Sequence, residues 1–233
     1  NNWKSLKGFF FNNRPFKFLF FKDLEEPHYN QLFFVPEVEF NIYDGIALGM
    51  RFNNRSILNK PFTFSATPMY SSNTGTLVGK FSAVVEDNIR EKGKLYNIRY
   101  LVTGSRFHYT KDAFYTNFVP IVQFRFRDEN LRVNKNEFIQ LRQVYVNREK
   151  SEFTTDGNTE NYNIFNIKYG NYQSEGTKHF SILNDLQISS SFGKVATEVH
   201  YRKLFENNRQ ISLRFFAGAF MFRSTNSDFF SFG

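Results

Sequence analysis

Residues 209–222, RQISLRFFAGAFMF, decide the fold class because their side chains alternate in character with a period of two. One alternate set is entirely apolar and consists of Ile211, Leu213, Phe215, Ala217, Ala219 and Met221. The intervening set begins polar and ends aromatic, and consists of Ser212, Arg214, Phe216, Gly218, Phe220 and Phe222. A period of two belongs to a β-strand, so this segment is predicted to be a long strand with one wholly apolar face.

The same alternation recurs along the chain and predicts roughly eleven strands. They are residues 34–42, 46–52, 62–70, 77–85, 95–109, 116–127, 137–149, 165–169, 180–191, 194–205 and 211–222. Tyr43-Asp44-Gly45 joins the first two, and Asp-Gly is a strong hairpin signal. We find no amphipathic helical pattern of useful length between the strands, which disfavours βαβ units. The sequence therefore predicts an all-β, antiparallel, up-and-down sheet.

Composition and strand length together favour a membrane-spanning barrel over a soluble sandwich. The 233 residues include 32 Phe and 12 Tyr, yet 22% of residues are charged and mean hydropathy is negative. A transmembrane strand needs about 9–11 residues, whereas strands of soluble proteins average about 5–6. We therefore predict an outer-membrane β-barrel, with 11–12 strands visible, whose apolar face meets lipid and whose polar face lines the lumen. Phe216, Phe220 and Phe222 are expected to fill a narrow or plugged interior.

Other classes are excluded on similar grounds. No run of 18 apolar residues exists, which excludes a transmembrane helix. Cysteine is absent, which excludes a disulfide scaffold and a thiolate metal site. The net charge is +8, but the basic residues recur on the polar face of nearly every strand instead of clustering, so no nucleic-acid partner is expected. The expected partners are outer-membrane lipids and lipopolysaccharide, with other outer-membrane barrels or lipoproteins as further candidates.

The chain divides into two predicted parts. Residues 1–30 are aromatic and basic but alternate poorly, and are expected to be a periplasmic lead-in or a first strand. Residues 31–233 are expected to form the barrel, incomplete at its C-terminus, since single-chain bacterial barrels have an even number of strands. The polar loops at 128–137 and 149–161 are the longest, and both are predicted to lie on the cell surface as partner contacts.

Candidate chemical motifs are few, and each has a structural explanation. His108 and Asp112 could bind a metal, but a site needs three or four converging ligands and no third lies nearby in the sequence. Glu37 and Glu39 share a strand face, where Arg51 offers simple pairing across strands. A second group, Glu198, His200 and Arg202, is expected to form a lumenal hydrogen-bond network. No catalytic, cofactor-binding or metal-binding residue is predicted in this segment.

Four stretches carry a resemblance to a known family. They are FKFLFFKDLEEPHYNQLFFVPEVEFNIYDGIALGMRFNN at 16–54, KPFTFSATPMYSSNTGTLVG at 60–79, FHYTKDAFYTNFVP at 107–120 and YRKLFENNRQISLRFFAGAFM at 201–221. Together they resemble the C-terminal outer-membrane barrel region of Bacteroidota surface metallopeptidases of the gluzincin, aminopeptidase-N-like group. The resemblance implies that a zinc peptidase domain with an H-E-x-x-H helix lies upstream in the parent protein. This segment has no such motif, so no cofactor is expected in it and no catalytic residue is carried over.

Three functions fit the sequence. The first is an outer-membrane anchor, in a Gram-negative bacterium, for a larger cell-envelope protein. The second is a non-catalytic barrel subunit of an outer-membrane assembly or secretion complex. The third is a diffusion pore, which the aromatic residues predicted to face the lumen disfavour. Whether the parent protein is an enzyme depends on regions outside this segment.

Overall fold

The computed structural model describes residues 14–21, 26, 28–56, 60–89, 93–128, 134–153 and 161–224. These residues contain twelve β-strands in one sheet. Within the described ranges, no helix is long and apolar enough to cross a membrane. The strands are β1 (Phe16–Phe20), β2 (Asn30–Asn41), β3 (Gly45–Asn53), β4 (Phe62–Ser71), β5 (Leu77–Asn88), β6 (Leu95–His108), β7 (Phe114–Phe126), β8 (Lys135–Arg148), β9 (Tyr162–Glu175), β10 (Lys178–Ser189), β11 (Phe192–Leu204) and β12 (Gln210–Arg223).

The strands follow one another in the sheet in chain order, from β1 at one edge to β12 at the other. Strands β2 to β5 pair antiparallel with their neighbours, as do β9 to β12, which confirms the predicted all-β meander. The exception is β1, which pairs in parallel with β2, with Phe16 opposite Asn30. No pairing joins β1 to β12 among the described strands, so closure into a barrel stays a prediction.

The chain forms two compact units. Unit 1 comprises Asn1–Asp87, Tyr100–Val119 and Tyr145–Asn161, and it contains β1 to β4 and all of β5 except its last residue, Asn88. Unit 2 comprises Asn88–Arg99, Pro120–Val144 and Tyr162–Gly233, and it contains β9 to β12. Strands β6, β7 and β8 each contribute residues to both units.

Most predicted strands lie within a few residues of the observed ones, and two differences are informative. The predicted strand 165–169 is the centre of β9, whose ends carry polar residues that mask its length. The predicted lead-in at 1–30 contains β1, while its residues 1–13 lie outside the described part of the chain. The expectation that the barrel is incomplete at its C-terminus concerns residues 225–233, which also lie outside the described part of the chain.

The prediction that both long loops lie on the same side is wrong. The two loops flank β8, one at each end of this strand, Lys135–Arg148. Successive connections of an antiparallel meander leave the sheet at opposite ends, so the loops at 128–137 and 149–161 emerge on opposite sides. The first loop is also shorter than predicted, because β8 begins at Lys135.

A bulge corrects the facing of Phe222. Lys194 of β11 pairs with Phe220, but Gly193 pairs with Phe222, so Met221 is an extra residue in β12. An extra residue moves the following side chain to the other face of the sheet. The ring of Phe222 accordingly lies where a Cβ on Gly193 would point, on the face opposite Phe220 and Arg214. The prediction that Phe222 shares a face with Arg214 is therefore wrong, while the register of β12 keeps the five preceding alternate residues, Ser212 to Phe220, on one face.

Gly79 of β5 has a φ of 147°, and a Cβ there would overlap the carbonyl oxygen of Thr67 on β4. Gly79→Ala is therefore expected to destabilise the protein by about 1–3 kcal/mol through backbone strain alone. The matched control is Gly93→Ala, because a Cβ at Gly93 meets nothing within 4 Å. Equilibrium urea unfolding should separate the two variants, and equal stability would contradict a strained backbone at Gly79.

Candidate functional site on the two faces of the sheet

Large apolar side chains on one face of the sheet are exposed. In unit 1 this face includes Phe40, which is 74% exposed, and in unit 2 it includes Phe215, which is 62% exposed. Other exposed members are Val38, Ile42, Ile46, Leu48, Leu77, Phe81, Phe165, Phe180, Ile188, Val195, Ile211 and Leu213. A water-soluble monomer rarely leaves so many large apolar residues uncovered on one surface, so this apolar face is a candidate interaction surface.

The opposite face is the polar face, and several of its uncharged polar side chains are buried. Thr67 on β4 is 1% exposed, Asn97 on β6 is 2% exposed and Asn166 on β9 is 0% exposed. Gln31 on β2 is also buried. At these positions burial is inverted relative to a soluble protein, in which polar residues face water and large apolar residues are covered.

An ion-pair network occupies the polar face of unit 1. Lys80 on β5 contacts Glu39 and lies 3.0 Å from Glu37 Oε1. Arg51 Nε on β3 lies 3.5 Å from Glu37 Oε2. The predicted pairing of Glu37 with Arg51 is therefore confirmed. The sequence reasoning missed Lys80, which strand pairing brings opposite Thr67 on the same face.

A second network lies on the polar face of unit 2. Glu198 Oε1 lies 2.7 Å from His200 Nε2 and accepts a hydrogen bond of 2.6 Å from Arg214 Nε. Arg214 reaches it because β12 pairs with β11 in a register that places His200 opposite Arg214. The predicted network around Glu198 and His200 thus exists, but its arginine is Arg214 and not Arg202.

Further along the polar face of unit 2, Asp185 interacts with side chains that include Lys168, Asn166 and Gln187. Lys168 Nζ on β9 lies 3.5 Å from Asp185 Oδ2 on β10. The fully buried Asn166 donates from Nδ2 to Asp185 Oδ1 and to the carbonyl oxygen of Leu186, the latter at 3.0 Å. The charge of Asp185 is therefore compensated by Lys168 on the adjacent strand.

Three chain turns of unit 1 meet at the buried carboxylate of Asp44. His108 donates its backbone N–H to Oδ2 at 3.0 Å, and its Nδ1 lies 2.7 Å from Oδ1. Asn41 Nδ2 donates to Oδ2 at 3.2 Å, and the hydroxyl of Thr74 donates to Oδ1 at 3.3 Å. Asp44 follows β2, Thr74 follows β4 and His108 ends β6, so this turn cluster ties three connections together.

The apolar part of unit 1 packs beside the turn cluster. Ala47, Met69 and Val78 are buried together, and Phe107 and Phe114 pack against them. The centroid of the Phe114 ring also lies 3.9 Å from the centroid of the His108 ring. Unit 1 therefore has a small packed core next to the turns, in contrast to the ion-paired side chains on the polar face of β2, β3 and β5.

Asp112 belongs to a different contact from His108. The hydroxyls of Thr110 and Ser151 donate to Asp112 Oδ1, the first at 2.9 Å. The Ser151 hydrogen bond is the main cause that lowers the Asp112 pKa below its ordinary value. Because the folded pKa is lowered, the stabilisation from the carboxylate is present above its ordinary pKa and is lost as the pH falls through the lowered one.

The structure thus separates the motif His108 and Asp112 that the sequence offered as a metal site. In the described ranges, no group of three or more His, Asp or Glu side chains is placed to hold a metal ion. Sequence reasoning used Asp44 only as a turn signal and missed its role as an acceptor. Its Asp-Gly context accounts for the turn, but the partners Thr74 and His108 are 30 and 64 residues distant.

Comparison with known proteins adds no family. No protein-family model matches the chain, and neither does any curated protein or solved structure. The structural findings are therefore an all-β sheet with an exposed apolar face, a polar face on which several uncharged side chains are buried, and a cluster of tied turns in unit 1.

Proposed function

We propose that this chain is the membrane-embedded part of an outer-membrane β-barrel that anchors a larger cell-envelope protein. The single observation that carries the proposal is the inverted burial of the two faces. Phe40 and Phe215 are exposed, whereas Asn97 and Asn166 are buried. Hydrocarbon is the environment that accepts an exposed apolar sheet face, and a lumen is the place where ion pairs can line the other face.

Strand length supports the same proposal. Strands β2 and β4 to β12 have 10–14 residues each, as a 14-residue β12 illustrates. About 9–11 tilted residues cross the hydrocarbon. Closure of the sheet is part of the proposal. The run from β2 to β12 contains eleven strands, and an all-antiparallel barrel needs an even number, so closure calls for one more strand antiparallel to β12.

The anchoring role rests on the family resemblance of the sequence, together with the mutual pairing of charged side chains on the polar face. Charged side chains on both units form ion pairs with one another, as Lys80 does with Glu37 and Arg214 does with Glu198. On this proposal the chemistry of the parent protein lies outside the segment. A zinc peptidase domain in the same polypeptide is the activity that the resemblance suggests.

Cell fractionation of the complete gene product tests the proposal. We expect the protein in the outer-membrane fraction, resistant to extraction by alkaline carbonate and soluble only in detergent, because lipid covers the apolar face. Unheated samples should migrate faster in SDS gels than boiled ones, as folded barrels do. Zinc in stoichiometric amount in the purified complete protein would support the anchor for a metallopeptidase. A compact, water-soluble, monomeric protein without surfactant would contradict the membrane assignment.

A second candidate is a non-catalytic barrel subunit of an envelope assembly. The observation that favours it is that polar side chains, among them Gln143 of β8 and Asn163 and Asn171 of β9, lie on the otherwise apolar face of the sheet. Recovery of the complete protein without zinc, in a stable detergent-resistant complex, would favour this candidate over the anchor. A diffusion pore is disfavoured because Phe216 and Phe220 share the polar face with Arg214.

A further inference from the structure

The apolar face changes character on β8 and β9. Strand pairing shows that Tyr169 lies opposite Asn184, which lies opposite Thr197, which lies opposite Ala217. Residues directly opposite in a ladder share a face, and Ala217 alternates in step with the exposed Leu213 and Phe215. Tyr169, Asn184 and Thr197 therefore lie on the apolar face of unit 2.

Several further polar residues share that face. Every second residue of β9 gives Asn163, Phe165, Ile167, Tyr169, Asn171, Gln173 and Glu175. Glu137 of β8 accepts a hydrogen bond of 3.0 Å from the Tyr169 hydroxyl, and Gln143 donates to Asn163. The corresponding set on β8 thus begins Lys135, Glu137, Ile139, Leu141 and Gln143. We call these residues of β8 and β9, with Asn184 and Thr197, the polar band.

The polar band is unusual because its apolar part is too short for a lipid-facing wall. On β9 only Phe165, Ile167 and Tyr169 are apolar or aromatic, and they span about 13 Å. A transmembrane barrel presents an apolar band about 25 Å tall. In unit 1, by contrast, the same face of β3 is apolar throughout, with Ile46, Leu48, Met50 and Phe52.

Extension of the strands into water does not account for the polar band. It would explain polar residues at one end, such as Glu137 and Glu175. Asn184, however, lies near the middle of β10, and its Oδ1 accepts a 2.8 Å hydrogen bond from the hydroxyl of Thr197. Gln143 and Asn163 lie towards the other end of β8 and β9. Amides along the whole height of a wall are costly against hydrocarbon and are typical of contacts with protein.

We propose that the polar band is the interface with a second copy of this chain, side by side in the membrane. The inference rests on the proposed membrane function. The band is self-complementary, as a two-fold interface must be. Each amide both donates and accepts, so the bonds already made, such as that between Gln143 and Asn163, leave capacity for the same groups of the other copy. Lys135 and Glu137, whose Nζ and Oε2 lie 3.4 Å apart, can likewise pair with Glu137 and Lys135 of the other copy across the two-fold axis.

The test measures the oligomeric state of the complete protein in lipid nanodiscs and by single-molecule photobleaching in bilayers. The wild type is expected to be dimeric. Combining Gln143→Leu, Asn171→Leu and Asn184→Leu should weaken dimerisation about tenfold or more. Each hydrogen bond between protein surfaces in a membrane contributes modestly, but the effects of substitutions at well-separated positions add up. Insertion should be undiminished, since leucine suits a lipid-facing position. The control is Ala83→Leu on the apolar face of β5, which should leave the dimer unchanged.

A second measurement covers the case in which the triple variant does not fold. The 233 residues contain no cysteine, so after a single cysteine is introduced, any disulfide between two cysteines of this segment joins two copies. Under mild oxidation, Asn171→Cys should give a dimer-sized band and Leu48→Cys should not. A monomeric wild type, association with a different protein only, or a dimer indifferent to the triple variant would each overturn the proposal. If the wild type is inserted but monomeric, only this inference fails, whereas a water-soluble wild type overturns the proposed function as well.

Discussion

Replacing Leu213 with arginine is expected to destabilise the membrane-inserted protein by about 2–4 kcal/mol. Leu213 is 60% exposed on the apolar face of β12. It lies opposite Tyr201 of β11, so its facing is fixed by the strand register. If lipid covers this face, the guanidinium must either enter hydrocarbon or bend towards an interface, and both are unfavourable. Phe124→Arg on β7 is expected to act in the same direction.

The matched controls introduce or remove arginine on the polar face. Arg214→Ala lies one residue from Leu213 and leaves Glu198 paired with His200, so its effect should be far smaller. Gln123→Arg, one residue from Phe124, removes the acceptor of the 2.9 Å hydrogen bond from Arg125 Nε, but it keeps the new charge on the polar face. It should also be milder than Phe124→Arg. The measurement is equilibrium urea unfolding in lipid vesicles, together with the yield of folded protein in the outer membrane.

Equal damage from both classes of variant would show that the facing is wrong. A neutral effect of Leu213→Arg would have a different meaning. It would show that water or a polar partner, and not hydrocarbon, covers the apolar face of β12. The two outcomes separate an error in strand register from an error in environment.

The sequence was sufficient for the strands and for most of their facing, and the physical reason is local. A side chain's face depends on its position in an alternating strand, so Glu37, Val38 and Glu39 could be placed without knowing their neighbours. The same reasoning failed at Phe222, because one extra residue at Met221 shifts the alternation. Nothing in RQISLRFFAGAFMF announces that bulge.

Contacts between distant segments could not be predicted from the same pattern. Alternation showed that Glu198 and His200 share a face, but the arginine that joins them depends on the register between β11 and β12. The parallel pairing of β1 with β2 is similarly a property of two segments together. The polar band on β9 was missed for another reason, since residues such as Asn171 made the strand itself look shorter than it is.

The turn cluster around Asp44 is the other place where a single substitution is expected to have a large effect on stability. Asp44→Ala should reduce the free energy of unfolding by about 3–5 kcal/mol, because it removes the buried carboxylate that accepts hydrogen bonds from His108, Asn41 and Thr74. The carboxylate is fully buried and lies within hydrogen-bond distance of His108, Asn41 and Thr74. Its loss leaves the backbone N–H of His108 buried without its partner.

The control for Asp44→Ala is Asp112→Ala, in which an exposed carboxylate loses the hydroxyl partners Thr110 and Ser151. Its effect should be much smaller, because water can replace those hydrogen bonds. Unfolding by urea in detergent compares the two, and protease cleavage in the connections after β2 and β4 reports on the turns directly. If Asp44 acts as the common acceptor, its removal should loosen both connections together, since each depends on the same carboxylate. Loosening of only one connection would show that the turns are held independently. A loss of stability no larger than that of Asp112→Ala would show that the packed core of Met69 and Val78 stabilises this end of unit 1 by itself.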